Sequence, residues 1–208
     1  MPKENQFLNQ SFTALSNAIG TPLLLVVFSK YGYDEKTLKQ GLALHAKVGH
    51  ITKDRDAANG VVRRATRSLN QAKDTTLRLF SSHMNVARTA FAREGYADDM
   101  RITGRREGAT IDWLEQAKKF YTHVPVDLMV KYHVPKKELD EANKMVSKVT
   151  ESLSLQRRVK SQAQQLTQDR RATYRELHIW MKRFMGIARI VFADQPQQLE
   201  ALGLIVKA

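Results

Sequence analysis

Not one of the 208 residues is cysteine. That excludes disulfides, zinc–thiolate sites and cysteine nucleophiles together. It also fits a reducing setting, so a cytoplasmic protein is expected. Proline and glycine, the strongest breakers of regular structure, number only 5 and 10, which favours long helices. Long apolar runs are missing as well. The longest, Leu23 to Phe28, has six residues, against about 20 needed to span a bilayer. It follows a polar start, MPKENQFLNQ, with no basic n-region. It therefore reads as a buried helix turn, with neither a signal peptide nor a transmembrane segment expected.

What the chain does have is positive charge. The formal net charge is +13 and 42% of residues are hydrophobic, enough apolar content to build a core. Residues 1–94 carry 14 basic and 7 acidic side chains, residues 95–135 carry 6 and 6, and residues 136–208 carry 14 and 8. The excess thus sits in two matching places. Polyanions are plausible partners for such a chain, although a solvated basic surface also keeps a helical protein soluble.

The two basic stretches belong to an internal repeat. MNVARTAFA, Met84 to Ala92, returns as MGIARIVFA, Met185 to Ala193, 101 residues on. At the same offset, without a gap, Lys30-Tyr31 meets Lys131-Tyr132, Leu38 meets Leu139, Lys47-Val48 meets Lys148-Val149 and Thr66 meets Thr167. Farther upstream Phe12 meets Trp113 and Ile19 meets Phe120.

Periodicity supports the same alignment. Ala58, Val62, Ala65, Leu69, Ala72, Thr76, Leu79, His83, Val86 and Ala90 step by four and three, the spacing of a heptad seam as in a coiled coil. The second copy places Val159, Ala163, Leu166, Arg170, Thr173, Leu177, Trp180, Phe184, Ile187 and Val191 there. Thr76, His83 and Arg170 suit a broader bundle with wet edges better than an isolated two-stranded coil.

The expected fold is all-α: an elongated antiparallel helical bundle of two tandem pseudo-repeats sharing one core. Residues 1–94 form the first repeat, 95–110 a charged, glycine-containing linker, and 111–208 the second repeat with a short C-terminal helix. Asp34 is a good N-cap for a long helix from Glu35 to Arg93. Within it, Lys53 to Gly60 reads as either a bend or a hairpin. Pro135 suits the first turn of a second long helix, Lys136 to Ala193, with a bend near Ser152 to Gln156. Shorter helices are expected over Gln6–Lys30 and Ile111–Lys131, with Pro22 and Pro125 kinking them or starting turns within them. Pro196 opens PQQLEAL, Gly203 ends it, and the tail LIVKA tucks against the bundle.

Trp180, Phe184, Ile187, Ala188, Arg189, Pro196, Leu199, Leu202 and Gly203 resemble the C-terminal pattern of a group of uncharacterised bacterial all-helical proteins. The likeness covers about a fifth of the chain and implies a helical fold; the group carries no assigned activity.

No catalytic constellation is legible. No Glu has a His three residues later, as a carboxylate di-metal bundle requires. His45 and His50 are spaced poorly for shared ligation, and Glu176 and His178 face different directions on a helix. GRREG, Gly104 to Gly108, lacks the Lys-Ser/Thr step of a phosphate loop. No cofactor, metal or catalytic residue is therefore assigned, and an enzyme or ligand-binding bundle is the least favoured reading. His83 on the seam reads as a hydrogen-bonded core histidine. Two sets of basic residues are the candidates for recognition. Arg63, Arg64, Arg67, Arg157, Arg158, Arg170, Arg171 and Arg175 form a candidate polyanion-binding set. Arg88 and Arg189, carried over within the repeated station, form either structural ion pairs or an anion site. The leading function is a non-enzymatic helical scaffold that engages a protein partner or itself. Sequence-nonspecific nucleic-acid binding is the alternative.

Overall fold

The computed structural model describes residues 2–91, 98, 100, 102 and 110–203, with only the backbone of Pro2, Lys3 and Phe91. Every regular element among them is helical. In order these are α1 (Pro2–Gly20), α2 (Pro22–Ser29), α3 (Glu35–Phe91), α4 (Thr110–His123), α5 (Val126–Lys131) and α6 (Lys136–Val191), followed by a 3-10 helix, Pro196–Leu202. The fold class is all-α, as the sequence implies. Among the described residues no single helix is long and apolar enough to cross a membrane, although the bent α1–α2 pair matches a span by length and composition alone.

Helix ends follow local chemistry. Asp34 Oδ1 accepts the Thr37 amide at 2.7 Å, the N-cap bond expected of it. Pro135 sits just outside α6 rather than in its first turn, and its carbonyl accepts the Glu138 and Leu139 amides. The expected helix over Gln6–Lys30 is broken into α1 and α2, which bend by 94° at Pro22, because proline at N1 starts a helix and cannot extend one. Conversely, Lys53–Gly60 is no hairpin: α3 runs through it as one 57-residue helix. A lone helical glycine costs only about 1 kcal/mol, and no proline interrupts the segment. Gly203 ends the 3-10 helix at φ 77. The tail LIVKA and most of the linker 95–110 lie outside the described residues.

The chain divides into two compact units, residues 1–58 with 163–208, and residues 59–162. These do not coincide with the repeats expected from the sequence. Each unit takes the short helices of one half and pieces of both long helices. Each also has its own hydrophobic core rather than a share of a single one.

In the first unit Leu15, Phe28, Leu38, Leu177, Phe184 and Leu202 are fully buried. Phe28 packs edge-on against Phe184 and Phe192, with ring centroids 5.2 and 5.8 Å apart. Gly41 of α3 lies against the indole of Trp180 on α6, and Thr52 of α3 meets Arg170 of α6. The two segments therefore run antiparallel there. In the second unit Phe80 is ringed by Trp113, Phe120 and Tyr121 at 6.1, 5.7 and 6.1 Å. Met100 and Ile102, within the expected charged linker, are core residues of this unit. Thr66 meets Gln156 and His83 meets Glu138, so α3 and α6 are antiparallel here too.

Residues 101 apart behave alike in several places. After α2 the Tyr33 amide donates to the Phe28 carbonyl and the Gly32 amide to that of Ser29; after α5 the Val134 amide donates to Met129 and the His133 amide to Val130. Both are Schellman closures. Gly32 and His133 each adopt positive φ, 83 and 62. Leu38 and Leu139, Val48 and Val149, and Ala87 and Ala188 are all buried. The short helices differ. Phe12 is 52% exposed whereas Trp113 is buried, and the buried set Ser11, Ala14, Leu15 and Ala18 recurs as Trp113, Gln116, Ala117 and Phe120. That is one residue beyond the offset of the long helices. The sequence alignment is thus out of register in α1 and α4.

Candidate interaction sites

The heptad seam positions all prove buried or half-buried, so the basic residues set off the seam should face water. Arg63, Arg64 and Arg67 on α3 and Arg157 and Arg158 on α6 do so. All five belong to the second unit. Gln156 Nε2 lies 3.4 Å from Thr66 Oγ1, which sets the two arginine stretches beside one another. Among the described residues none of these five guanidinium groups is paired with a carboxylate. In the first unit Arg171 and Arg175 are exposed on α6.

Arg170 departs from the set. Its side chain is only 13% exposed and its Nη2 lies 2.9 Å from Glu4 Oε1. Its Nε donates to Thr52 Oγ1 at 2.8 Å. A guanidinium on a packed seam needs an acceptor, and α1 supplies it. Glu4 lies far away in the chain with no local signal linking it to Arg170, so sequence spacing misses the pair.

Arg88 and Arg189 part company as well. Arg88 Nε donates to the backbone carbonyl of Ile102, so it anchors a segment of its own chain. Arg189 is exposed and lines an open groove of about 230 Å³ between α1 and α6. The floor of that groove is Phe7, Met181 and Met185, and its rim carries His178, Lys182 and Arg189. The spacing of 178, 182, 185 and 189 places these four on one helical stripe.

His83 is 1% exposed and joins three helices. Its Nδ1 lies 3.0 Å from the Tyr121 hydroxyl and its Nε2 lies 2.8 Å from Glu138 Oε1. In the tautomer with its proton on Nε2, His83 donates to Glu138 and accepts from the phenol at Nδ1. Burial, reinforced by the Glu138 carboxylate, holds the Tyr121 phenol far above its usual ionisation range. This places a satisfied polar lock at the junction of α3, α4 and α6. Its position is enclosed by the aromatic core and opens onto none of the grooves described.

Apolar side chains remain outside. On α2, Leu24 and Phe28 enter the core while Leu23 is 80% and Val26 61% exposed. Residues three apart are neighbours on a helix, so these two make one apolar face. Searches against protein-family models, curated proteins and solved structures find no match to this chain.

Proposed function

We propose that the chain is a tandem duplication of one helical unit, folded as an antiparallel bundle, and that it works as a non-enzymatic scaffold. Its action is to present helix faces to a protein partner or to a second copy of itself. The duplication is supported by the matched turns after α2 and α5 and by the buried pairs 101 residues apart. The observation that carries the functional reading is the uncovered face of α2. Scattered exposed apolar residues are ordinary. Two large ones adjacent on an eight-residue helix, both more than half exposed, form a feature suited to burial against a partner. The test is affinity capture combined with light scattering on the wild-type chain and on Leu23→Glu/Val26→Glu. The reading expects self-association or a reproducible protein partner, lost in the variant. A strict monomer that captures nothing contradicts it.

A second reading, sequence-nonspecific nucleic-acid binding, is favoured by the adjacent Arg63–Arg67 and Arg157–Arg158 stretches. Phosphate neutralisation releases counterions, so affinity for an oligonucleotide should fall steeply with salt. It should vanish when Arg63, Arg64, Arg67, Arg157 and Arg158 are changed to Glu. Absence of binding at low salt eliminates this reading.

A further inference from the structure

The stripe His178, Lys182, Met185 and Arg189 lies 101 residues after Leu77, Ser81, Met84 and Arg88. In the second unit the earlier stripe is covered. Met84 is fully buried, Met100 and Ile102 belong to the same core, and the Ile102 carbonyl sits on Arg88. An apolar-x-apolar segment with one backbone carbonyl on an arginine thus fills that place. In the first unit no described residue plays this part. Met185 is half-buried, Arg189 is exposed, and the space above Phe7, Met181 and Met185 is open. At about 230 Å³ it falls below the roughly 300–1,000 Å³ typical of small-molecule sites, which suits a pair of side chains better than a cofactor. The rims also differ. Where the covered stripe has Leu77 and Ser81, the open one has His178 and Lys182, adding cationic character beside the arginine.

We propose that this groove docks an extended segment of a partner protein, with two apolar side chains flanking one residue and acidic residues alongside. The apolar pair fills the space over Met185 and Phe7, and a backbone carbonyl of the segment accepts from the Arg189 guanidinium. Lys182 selects the acidic flank by charge complementarity, beside the polar ring of His178. This surface is separate from the α2 face, so each succeeds or fails without the other.

The probe is a labelled peptide with the sequence ADDMRIT, that of residues 97–103, titrated against the full chain by fluorescence polarisation. The expected result is saturable binding that weakens with salt. Arg189→Ala removes a charge-assisted hydrogen bond and should weaken it about tenfold to a hundredfold. Met185→Glu, or Asp in place of the peptide's methionine, should abolish it. Because Arg189 is exposed, circular dichroism should find that variant folded. Several outcomes overturn the proposal. They are no saturable binding, binding indifferent to both Arg189→Ala and Met185→Glu, binding that depends on Arg88 instead, and binding that appears only after truncation at Gly203. The last would make the chain's own C-terminal residues the occupant. Arg189-dependent binding to anionic phospholipid vesicles without peptide binding would replace the partner segment with a membrane surface and likewise overturn it.

Discussion

Replacing both members of the buried His83–Tyr121 pair should cost less than the sum of the two single replacements. In His83→Phe the Tyr121 hydroxyl stays in the core without its partner. In Tyr121→Phe it is Nδ1 of a histidine only 1% exposed that is left without one. A buried donor or acceptor stripped of its partner costs about 1–3 kcal/mol. Glu138 adds less, since its side chain is 42% exposed and water can replace the bond it loses in His83→Phe. In the double variant both orphaned groups are gone and the rings remain apolar. The first unit offers a precedent, because Phe184 occupies the position 101 residues after His83 and is fully buried. The double variant should therefore recover roughly 1–2 kcal/mol relative to the sum of the singles. For a chain of this size each 1 kcal/mol moves the melting temperature by about 2–4 °C. Urea unfolding and calorimetry on the four proteins give the cycle. Additivity within about 0.5 kcal/mol would refute the claim that the 3.0 Å contact is an energetically coupled, desolvated hydrogen bond.

The same phenol carries a pH signature. Its folded ionisation lies above the unfolded value of about 10, so its stabilisation is present below that pH and is lost as pH rises through the folded value. Alkaline unfolding should begin at higher pH in Tyr121→Phe, and a tyrosinate absorbance titration in which the native phenol ionises near 10 with the fold intact would contradict this. Gly41→Ala should destabilise by a net of roughly 1 kcal/mol. Its new Cβ would lie 2.8 Å from the Trp180 ring, itself held by Tyr33 and Phe184, and overpacking outweighs the helix-propensity gain. Gly186→Ala, with nothing within 4 Å, should instead stabilise by about 0.5–1 kcal/mol; chemical denaturation distinguishes the two signs. Arg170→Ala should cost about 1–2 kcal/mol by leaving Glu4 without its cation and removing the bond Thr52 accepts, while Arg171→Ala stays within about 0.5 kcal/mol; equal effects in melting experiments would remove the inward assignment of Arg170.

Much of the helical plan was legible because it is written in local chemistry. Asp34 caps, Gly203 terminates, Pro22 breaks, and the four–three seam marks the faces that become buried. The seam nonetheless understated the core. Phe80, Met84 and Ala87 stand beside it and are fully buried, because α3 meets a short helix as well as α6. The likeness of residues 101 apart was readable, but the packing was not. An offset of 101 says which residues are alike, and nothing in it says that each core takes its pieces from both halves. The remote contacts of Arg170 and Arg88 were not legible for a related reason. What an arginine touches is decided by residues remote in sequence, here Glu4 and the Ile102 carbonyl. The one-residue slip between α1 and α4 was hidden because apolar residues at both registers make a plausible alignment.

The account rests on compact units that are not contiguous in the chain, and cutting the chain tests that directly. Fragments 1–105 and 106–208, expressed apart, each lack half of both cores. The prediction is that neither unfolds cooperatively as a monomer, and that mixing them restores the helical circular dichroism and a cooperative transition near that of the intact chain. A monomeric fragment 1–105 that melts cooperatively by itself, at a temperature close to that of the whole protein, would contradict the account.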